Sequence, residues 1–329
     1  SDVCSSDLEN DRNGVITRLY TCVPIIGIRN PSNPLEYARS PFINDVENPV
    51  STVYQPDHQY KNNRLHGNIY AEGKIMKNLS VKSLLGFENG TGEFNSFQDS
   101  VQTRYGQTMG GICAKNKYKY KFWMSENTAS FNKKINNHTI SLLGGMILSR
   151  EINDNLYLSS HDFHDAPNTN VESGKIQSIP IPDYARKSHV SFIGRLNYSY
   201  KNKYFLTSNF RADASGQFTP EHRWGYFPSF STGWKLSEEK FLKPLFGDND
   251  VKIRFGWGQV GNDRARPYAW YGLVDTLQQY VFGGAPRTAY INTTLENRDL
   301  HWESTSQYDI GVDFSMLHKR INITADYYN

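Results

Sequence analysis

In the stretch RWGYFPSFSTGWKLSEE, Tyr226, Pro228, Phe230, Thr232, Trp234 and Leu236 share one parity. Phe227, Ser229, Ser231, Gly233, Lys235 and Ser237 share the other. Successive side chains of a strand point to opposite faces, so this period of two gives one greasy face and one mostly wet face. Helical spacing would scatter the polar residues around the axis, so the stretch is expected to be a strand. The same alternation recurs at Val190–Tyr200, Tyr204–Asp213, Val251–Gly258, Gln307–Phe314 and Ile321–Tyr327. Weaker versions occupy Leu65–Lys74, Leu79–Glu88, Tyr118–Phe131 and Thr139–Ser149. The pattern predicts about ten strands of roughly ten residues each, longer than the usual soluble strand of about five or six. Nine to eleven residues is about the length that crosses a bilayer at a tilt.

The connections alternate in length. Met76-Lys77-Asn78, NKKINNH (132–138), Lys201–Lys203 and Leu317–Lys319 are short, and EEKFLKPLFGDND (238–250) is moderate. Asn89–Lys117, Glu151–Lys187, Ala214–Arg223 and Gly261–His301 are longer. Short turns at one end and long loops at the other are the mark of an outer-membrane up-and-down barrel. The fold class expected is therefore all-β, an antiparallel up-and-down transmembrane β-barrel. Tyr226, Phe230, Trp234 and Leu236 are expected to face lipid, and Ser229, Ser231 and Lys235 the lumen. A soluble antiparallel sheet with one face on a core, in a β-rich binding or adhesion protein, is the competing reading. A passive porin-like channel would show the same alternation.

Composition adds limits. The chain has 329 residues, a net charge of +3 and a mean hydropathy of -0.63. So small a charge gives no reason to expect nucleic acid as a partner. No apolar run reaches the roughly 18 residues of a membrane-crossing helix, which leaves a barrel open. The 21 Tyr and 6 Trp suit a boundary between apolar and wet surroundings. Ser1–Leu8 (SDVCSSDL) back-translates to an oligonucleotide resembling a sequencing adapter, so it is set aside from fold reasoning together with Cys4. Cys22 and Cys113 remain, with spacing that marks neither a zinc site nor a disulfide framework.

Four segments in joint order carry a family likeness. SFIGRLNYSYKNKYFLTSNFRADASGQFTPEHRWGYFPSFSTGWKLSEEKFL (191–242) closely resembles the barrel of SusC/RagA-type TonB-linked outer-membrane proteins. VKIRFGWGQVGN (251–262), LENRDLHWESTSQYDIGVDFSMLHKRINITADYY (295–328) and NNRLHGNIYAEGKIMKNLSVKSLLGFE (62–88) resemble further parts of it. The resemblance covers most of the chain after about Asn62 and is weakest at 91–117, 151–187 and 263–298. It implies a plugged barrel of the about-22-strand class, of which about 10–11 strands are expected here. It also implies an integral protein of the Gram-negative outer membrane, in contact with its lipid, that imports an oligosaccharide or peptide. A SusD-like lipoprotein would act as a lid, and energy would come from the TonB–ExbB–ExbD complex acting through a plug. No plug or TonB-contacting segment is expected before Leu65 and no terminal strand after Asn329, so the chain is not expected to transport alone. The expected organisation is residues 1–8 as artefact, 9–64 as a first barrel segment and loop, and 65–329 as partial barrel.

No nucleophile–base arrangement or phosphate loop stands out, and GQVGN (258–262) lacks the strand–helix context of a dinucleotide site, so neither an enzyme nor a cofactor is expected. HDFHD (161–165) could offer metal ligands, but reads better as a polar loop. GDND (247–250) lacks the spaced acidic pattern of a calcium loop and reads as a turn. Lys115, Lys117, Lys119 and Lys121 alternate with aromatic residues, either as a strip for lipid phosphates or an acidic ligand or, more blandly, as a solvated strand end. Tyr268, Trp270, Tyr271 and Tyr280 lie in the longest loop and are candidate solute contacts, because aromatic faces stack on sugars and peptide side chains.

Overall fold

The computed structural model describes residues 19–39, 48–54, 57–100, 104–163, 169–176, 182–266, 268–275, 279–318 and 320–329. Residues 1–18, including the adapter-like octapeptide, lie outside these. Ten long strands follow one another: β1 (Asp57–Met76), β2 (Leu79–Gln98), β3 (Ile112–Ile135), β4 (His138–His161), β5 (Pro182–Tyr200), β6 (Tyr204–Ser215), β7 (Trp224–Lys235), β8 (Asp250–Asn262), β9 (Glu303–Met316) and β10 (Ile321–Tyr328). Each is hydrogen-bonded to its neighbours in sequence, from β1 to β10, and Lys175–Ile176 pairs with β4 to complete an 11-stranded sheet. This is the up-and-down order expected of the barrel class. Among the described residues no helix is long and apolar enough to cross a membrane.

The turn ends behave as expected. β5 and β6 are joined through Lys201 and Asn202, at φ 52° each, and β9 and β10 through Leu317 and His318, at φ 53° and 57°. Two consecutive left-handed residues match the right-handed twist of a tight hairpin. The long ends differ from expectation. β1 to β5 run for 20, 20, 24, 24 and 19 residues, against 12, 12, 13, 14 and 8 for β6 to β10. Much of Asn89–Lys117 and Glu151–Lys187, expected as loop, is therefore strand: β2 runs on to Gln98 and β3 begins at Ile112, and β4 runs on to His161 and β5 begins at Pro182. Beyond a bilayer both faces of a strand meet water, so the alternation that betrays a strand disappears while backbone pairing continues. At Gly92 an added Cβ would fall on the Tyr118 ring, so a residue that looks like a turn signal in sequence makes room for a neighbouring aromatic.

The contacts divide the chain into two compact units. One comprises the chain up to Leu65, Asn89–Lys121 and Asn153–Tyr184. It holds the extensions of the long strands and a small apolar centre in which Cys113, Phe163 and Val171 are buried against Phe97 and Leu158. The Phe97 and Phe163 rings meet edge to face at 5.3 Å.

The other unit comprises His66–Glu88, Phe122–Ile152 and Ala185–Asn329. Here the register aligns the apolar parities of four strands, β6 to β9. Trp234 pairs with Tyr204 and Ile253, Phe230 with Ser208 and Trp257, and Ile253 in turn with Val312. Tyr226, Phe230 and Trp234 are 59%, 38% and 38% exposed on that face. Phe227, one residue out of phase, is buried. The opposite face carries polar ladders: Arg195 Nε donates to Asn209 Oδ1 (2.7 Å), and Asn209 Nδ2 to Ser229 Oγ (3.0 Å). Arg254 binds both Asp313 and Asp326.

Aromatic rings gather in two rows on the apolar face. At the short-turn end Tyr200, Tyr204 and Trp234 stack in series at 6.2 and 6.3 Å. Toward the long-loop end Phe192 stacks on Trp224 (6.0 Å) and Phe210 on Tyr226 (6.3 Å). Leu236 does not continue the strand. β7 ends at Lys235, and Leu236 opens a 3₁₀ turn closed by Glu239 N–H on the Leu236 carbonyl (3.0 Å). The turn brings the Glu239 carboxylate back to accept from Tyr204 OH (2.5 Å) and Trp234 Nε1 (3.2 Å), which competes with further strand pairing.

Candidate functional site

The longest connection, between β8 and β9, is seated on the strand ends by a compact cluster of side chains. β6 ends in Ser215, fully buried, and the connection that follows places Gln217, Phe218 and Thr219 inside, at 3%, 1% and 3% exposure. The Phe218 and Trp302 rings lie 5.6 Å apart, and Phe227 and Trp302 meet edge to face at 5.3 Å, with 66° between planes. Trp302 Nε1 donates to the Arg223 carbonyl at 2.8 Å. Thr219 Oγ1 holds the Arg298 carbonyl, and Gln217 Nε2 the Ala265 carbonyl, both at 3.3 Å. Both stems of the loop are thus tied to the same short segment. Gly261 belongs to this fit, because an added Cβ would enter the Phe227 ring.

A polar pin sits beside it. Asp263 Oδ2 accepts from Ser215 Oγ and pairs with His189 Nε2, each at 2.7 Å. The His189 ring, then the Ser215 hydroxyl, hold the Asp263 carboxyl below the usual carboxylate range against the upward pull of partial burial. Ser, His and Asp in contact invite a nucleophile reading, but the geometry opposes it. The serine hydroxyl is spent on the carboxylate, the same imidazole nitrogen serves both partners, and Ser215 has no exposed surface for a substrate. The trio anchors a loop.

Within the loop, Trp270 and Tyr271 stack at 3.7 Å with 26° between planes, and Tyr268, at φ 60°, places its ring 6.3 Å from Tyr271. Tyr280 belongs to a separate hairpin, Gln279–Phe282 with Ala285–Thr288, where its ring partner is Phe282. The structure therefore brings together three of the four candidate aromatics and keeps Tyr280 apart. Tyr268, Tyr271 and Tyr280 are all well exposed. Sequence reading does not find the seat itself, because Phe218, Asp263 and Trp302 follow no periodicity. The one local signal is a phenylalanine inside the polar run SGQFTPEH.

The remaining motifs fall into structural roles. His161 closes β4, Asp162 pairs with Lys175, and Phe163 enters the apolar centre; His164 and Asp165 lie outside the described residues. No group of three metal-binding side chains occurs among the described residues. GDND turns through Gly247, at φ 55°, into β8.

A meander of bilayer-length strands, aligned apolar parities, paired rows of rings and one-sided loops define an integral β-barrel protein of the outer membrane. The family described as TonB dependent receptor-like, beta-barrel, matches residues 7–329, and the chain belongs to it. It is 27% identical over 95% of its length to TonB-dependent receptor P3 of Formosa agariphila, covering 31% of that protein. It is 39% identical over 44% of its length to TonB-dependent receptor SusC of Bacteroides thetaiotaomicron, covering 15% of it. A structure of the RagAB peptide transporter superposes with a TM-score of 0.74 at 21% identity, covering 85% of this chain and 31% of that one. The chain thus spans less than a third of these relatives. Membership replaces the soluble binding or adhesion reading with an outer-membrane one, in a family of receptors and transporters rather than enzymes.

Proposed function

We propose that this chain forms a section of the wall of an active outer-membrane importer of oligosaccharides or peptides. It is energised through TonB and works with a SusD-like lipoprotein over the long-loop end. Family membership across nearly the whole chain carries this reading; the RagAB neighbour is by name a peptide transporter, and the oligosaccharide class is what the SusC/RagA resemblance implies. An active importer is favoured over a passive porin-like channel by the same membership. Tyr226, Phe230 and Trp234 face lipid in this reading. Trp224 and Trp234 stand ten positions apart on β7. At about 3.3 Å per residue and a tilt of about 45°, their rows lie about 23 Å apart along the membrane normal. That matches the apolar band of about 25 Å between aromatic girdles.

The cluster of Tyr268, Trp270 and Tyr271, with Tyr280 on its own hairpin, lines the solute entrance. A rigid seat beneath an exposed aromatic surface suits stacking on sugar C–H faces or peptide side chains. Uptake of labelled oligosaccharide and peptide pools by cells expressing the full-length parent, with and without a working TonB, tests the importer. TonB-independent uptake would overturn it. Trp270→Ala with Tyr271→Ala should weaken solute binding at least several-fold, and unchanged affinity would remove the loop from the site.

A further inference from the structure

The short-turn end of the second unit is basic. The chain around its four tight hairpins, 73–87, 127–150, 196–212 and 314–325, holds no Asp or Glu. Lys77, Lys133, Lys134 and Lys201 are exposed there. These segments and the β7–β8 connection all belong to that one compact unit. Two contacts fix direction at this end. Lys201 Nζ lies 5.1 Å over the Tyr200 ring, the first of the row Tyr200, Tyr204 and Trp234, so this lysine lies along the apolar face. Glu239 accepts from Tyr204 and Trp234 of the same row through one oxygen, and Lys203 pairs with the other at 3.5 Å. The β7–β8 connection is thereby tied to that face.

From Glu239 the connection winds into a single helical turn, Lys243–Phe246, entered by Lys243 N–H on the Glu239 carbonyl (2.9 Å). Residues four apart share a side of such a turn. Leu242 and Phe246 are half-buried on one side, whereas Phe241 and Leu245, on another, are 72% and 74% exposed. Lys240 and Lys243 stand exposed beside them. Among the described residues these two lysines and Lys201 have no carboxylate partner. The exposed carboxylates of the connection are Glu238 and Asp248.

We infer that this end of the wall docks on anionic phospholipid of the periplasmic leaflet, with Phe241 and Leu245 set between headgroups and acyl chains. The inference rests on the lipid-facing assignment proposed above. Short turns are the periplasmic ends of such barrels. Phe and Leu on one side of a short segment, with lysines beside them, is the composition that lies in a membrane interface. Two large apolar side chains left in water forgo the gain of burial, and these two follow a row of rings that marks the edge of the hydrocarbon. Hairpins that gather cations without a carboxylate repel one another. An anionic surface relieves that repulsion and gains from each lysine.

The test uses the full-length parent in cells, carrying the photo-crosslinker as Phe241→benzoylphenylalanine or, in a second strain, as Phe230→benzoylphenylalanine. Illumination should join both positions to phospholipid, read as the adduct mass. Lipid at Phe230 with a protein adduct, a glycan adduct or none at Phe241 overturns this inference alone. No lipid adduct at either position overturns the lipid-face assignment, and the inference with it. If the Phe241 variant does not insert, the crosslinker goes to Leu245. Charge is tested by native mass spectrometry of the parent in nanodiscs containing phosphatidylglycerol or phosphatidylcholine. The wild type should retain more phosphatidylglycerol and lose that preference in high salt. Lys201→Gln with Lys240→Gln and Lys243→Gln should weaken its retention by about tenfold or more. The triple Lys→Arg variant should keep it. Equal retention of both lipids by wild type, or of phosphatidylglycerol by wild type and the glutamine variant, overturns the inference. If the glutamine triple does not insert, the single Lys201→Gln variant and the salt dependence decide.

Discussion

β3 and β7 are neighbours in kind but not in legibility. β7 spends its 12 residues crossing between two aromatic rows, and its sequence alternates throughout. β3 runs for 24, and around Lys121 the apolar residues change parity: Trp123 shares the parity of the lysines, whereas Tyr118, Tyr120 and Phe122 take the other. Both are paired on both sides in one sheet. The difference teaches that period-two hydrophobicity records the solvent on the two faces and not strand formation as such. Under the lipid-face assignment proposed above, hydrocarbon meets one face of the crossing strands and water the other; in the extensions, pairing with neighbouring strands holds the backbone extended whatever the side-chain pattern.

The sharpest way to break this comparison is a charge swap between the two settings. Phe230→Arg, between the aromatic rows of β7, should cost about 2–4 kcal/mol in the parent barrel. Thr91→Arg, on the β2 extension, should stay within about 0.5 kcal/mol. Denaturant titrations in lipid measure both, and equal costs would mean that the two settings are the same. Ser229→Arg, on the polar face beside Phe230, should resemble Thr91→Arg.

A smaller effect is expected at the loop seat. Gly261→Val forces a branched side chain into the space of Phe227 and should cost about 1–3 kcal/mol. It should also expose 263–302 to limited proteolysis, while leaving strands β1 to β4 protected.

Smaller again is the pin. Asp263→Asn should cost about 1 kcal/mol through its bonds to Ser215 and His189. The folded-state acidity of Asp263 lies below its ordinary value. Its contribution is therefore full above the unfolded carboxylate range, near about pH 4, and is lost as pH falls through the folded value. Proteolysis of the loop should rise on acidification in the wild type, and this rise should flatten in Asp263→Asn. An unchanged acid response in the variant would assign the pin no role.

The smallest effect belongs to the tight turns. Replacing Leu317 and His318, both left-handed, by Asn-Gly should stabilise the parent by about 1 kcal/mol, read as a shift of the denaturation midpoint.

These tests also sort what the chain discloses locally from what it does not. The ten strands, their order and the division into short and long ends follow from local spacing, because lipid and turn geometry act on neighbours in sequence. Leu236 defeats a parity reading because its departure from the strand depends on Glu239 reaching back to Tyr204 and Trp234. The extensions defeat it because Gly90 and Gly92 look like turn signals until Tyr118 and Tyr120 are placed over them. The seat is hidden because Ser215, Phe218, Asp263 and Trp302 meet only when two separate connections fold together. Of the loop aromatics, sequence names the residues but not that Tyr280 stands apart from the other three.

The seat beneath the β8–β9 connection has one more consequence. An insert gripped at both stems transmits little of its own interior to the wall that carries it. Residues between the stems can lengthen, shorten or change chemistry at a modest entropic cost, since closure depends only weakly on length. The wall then serves as a fixed socket for exchangeable cassettes, and in the proposed importer cargo preference can be rewritten without refolding the scaffold.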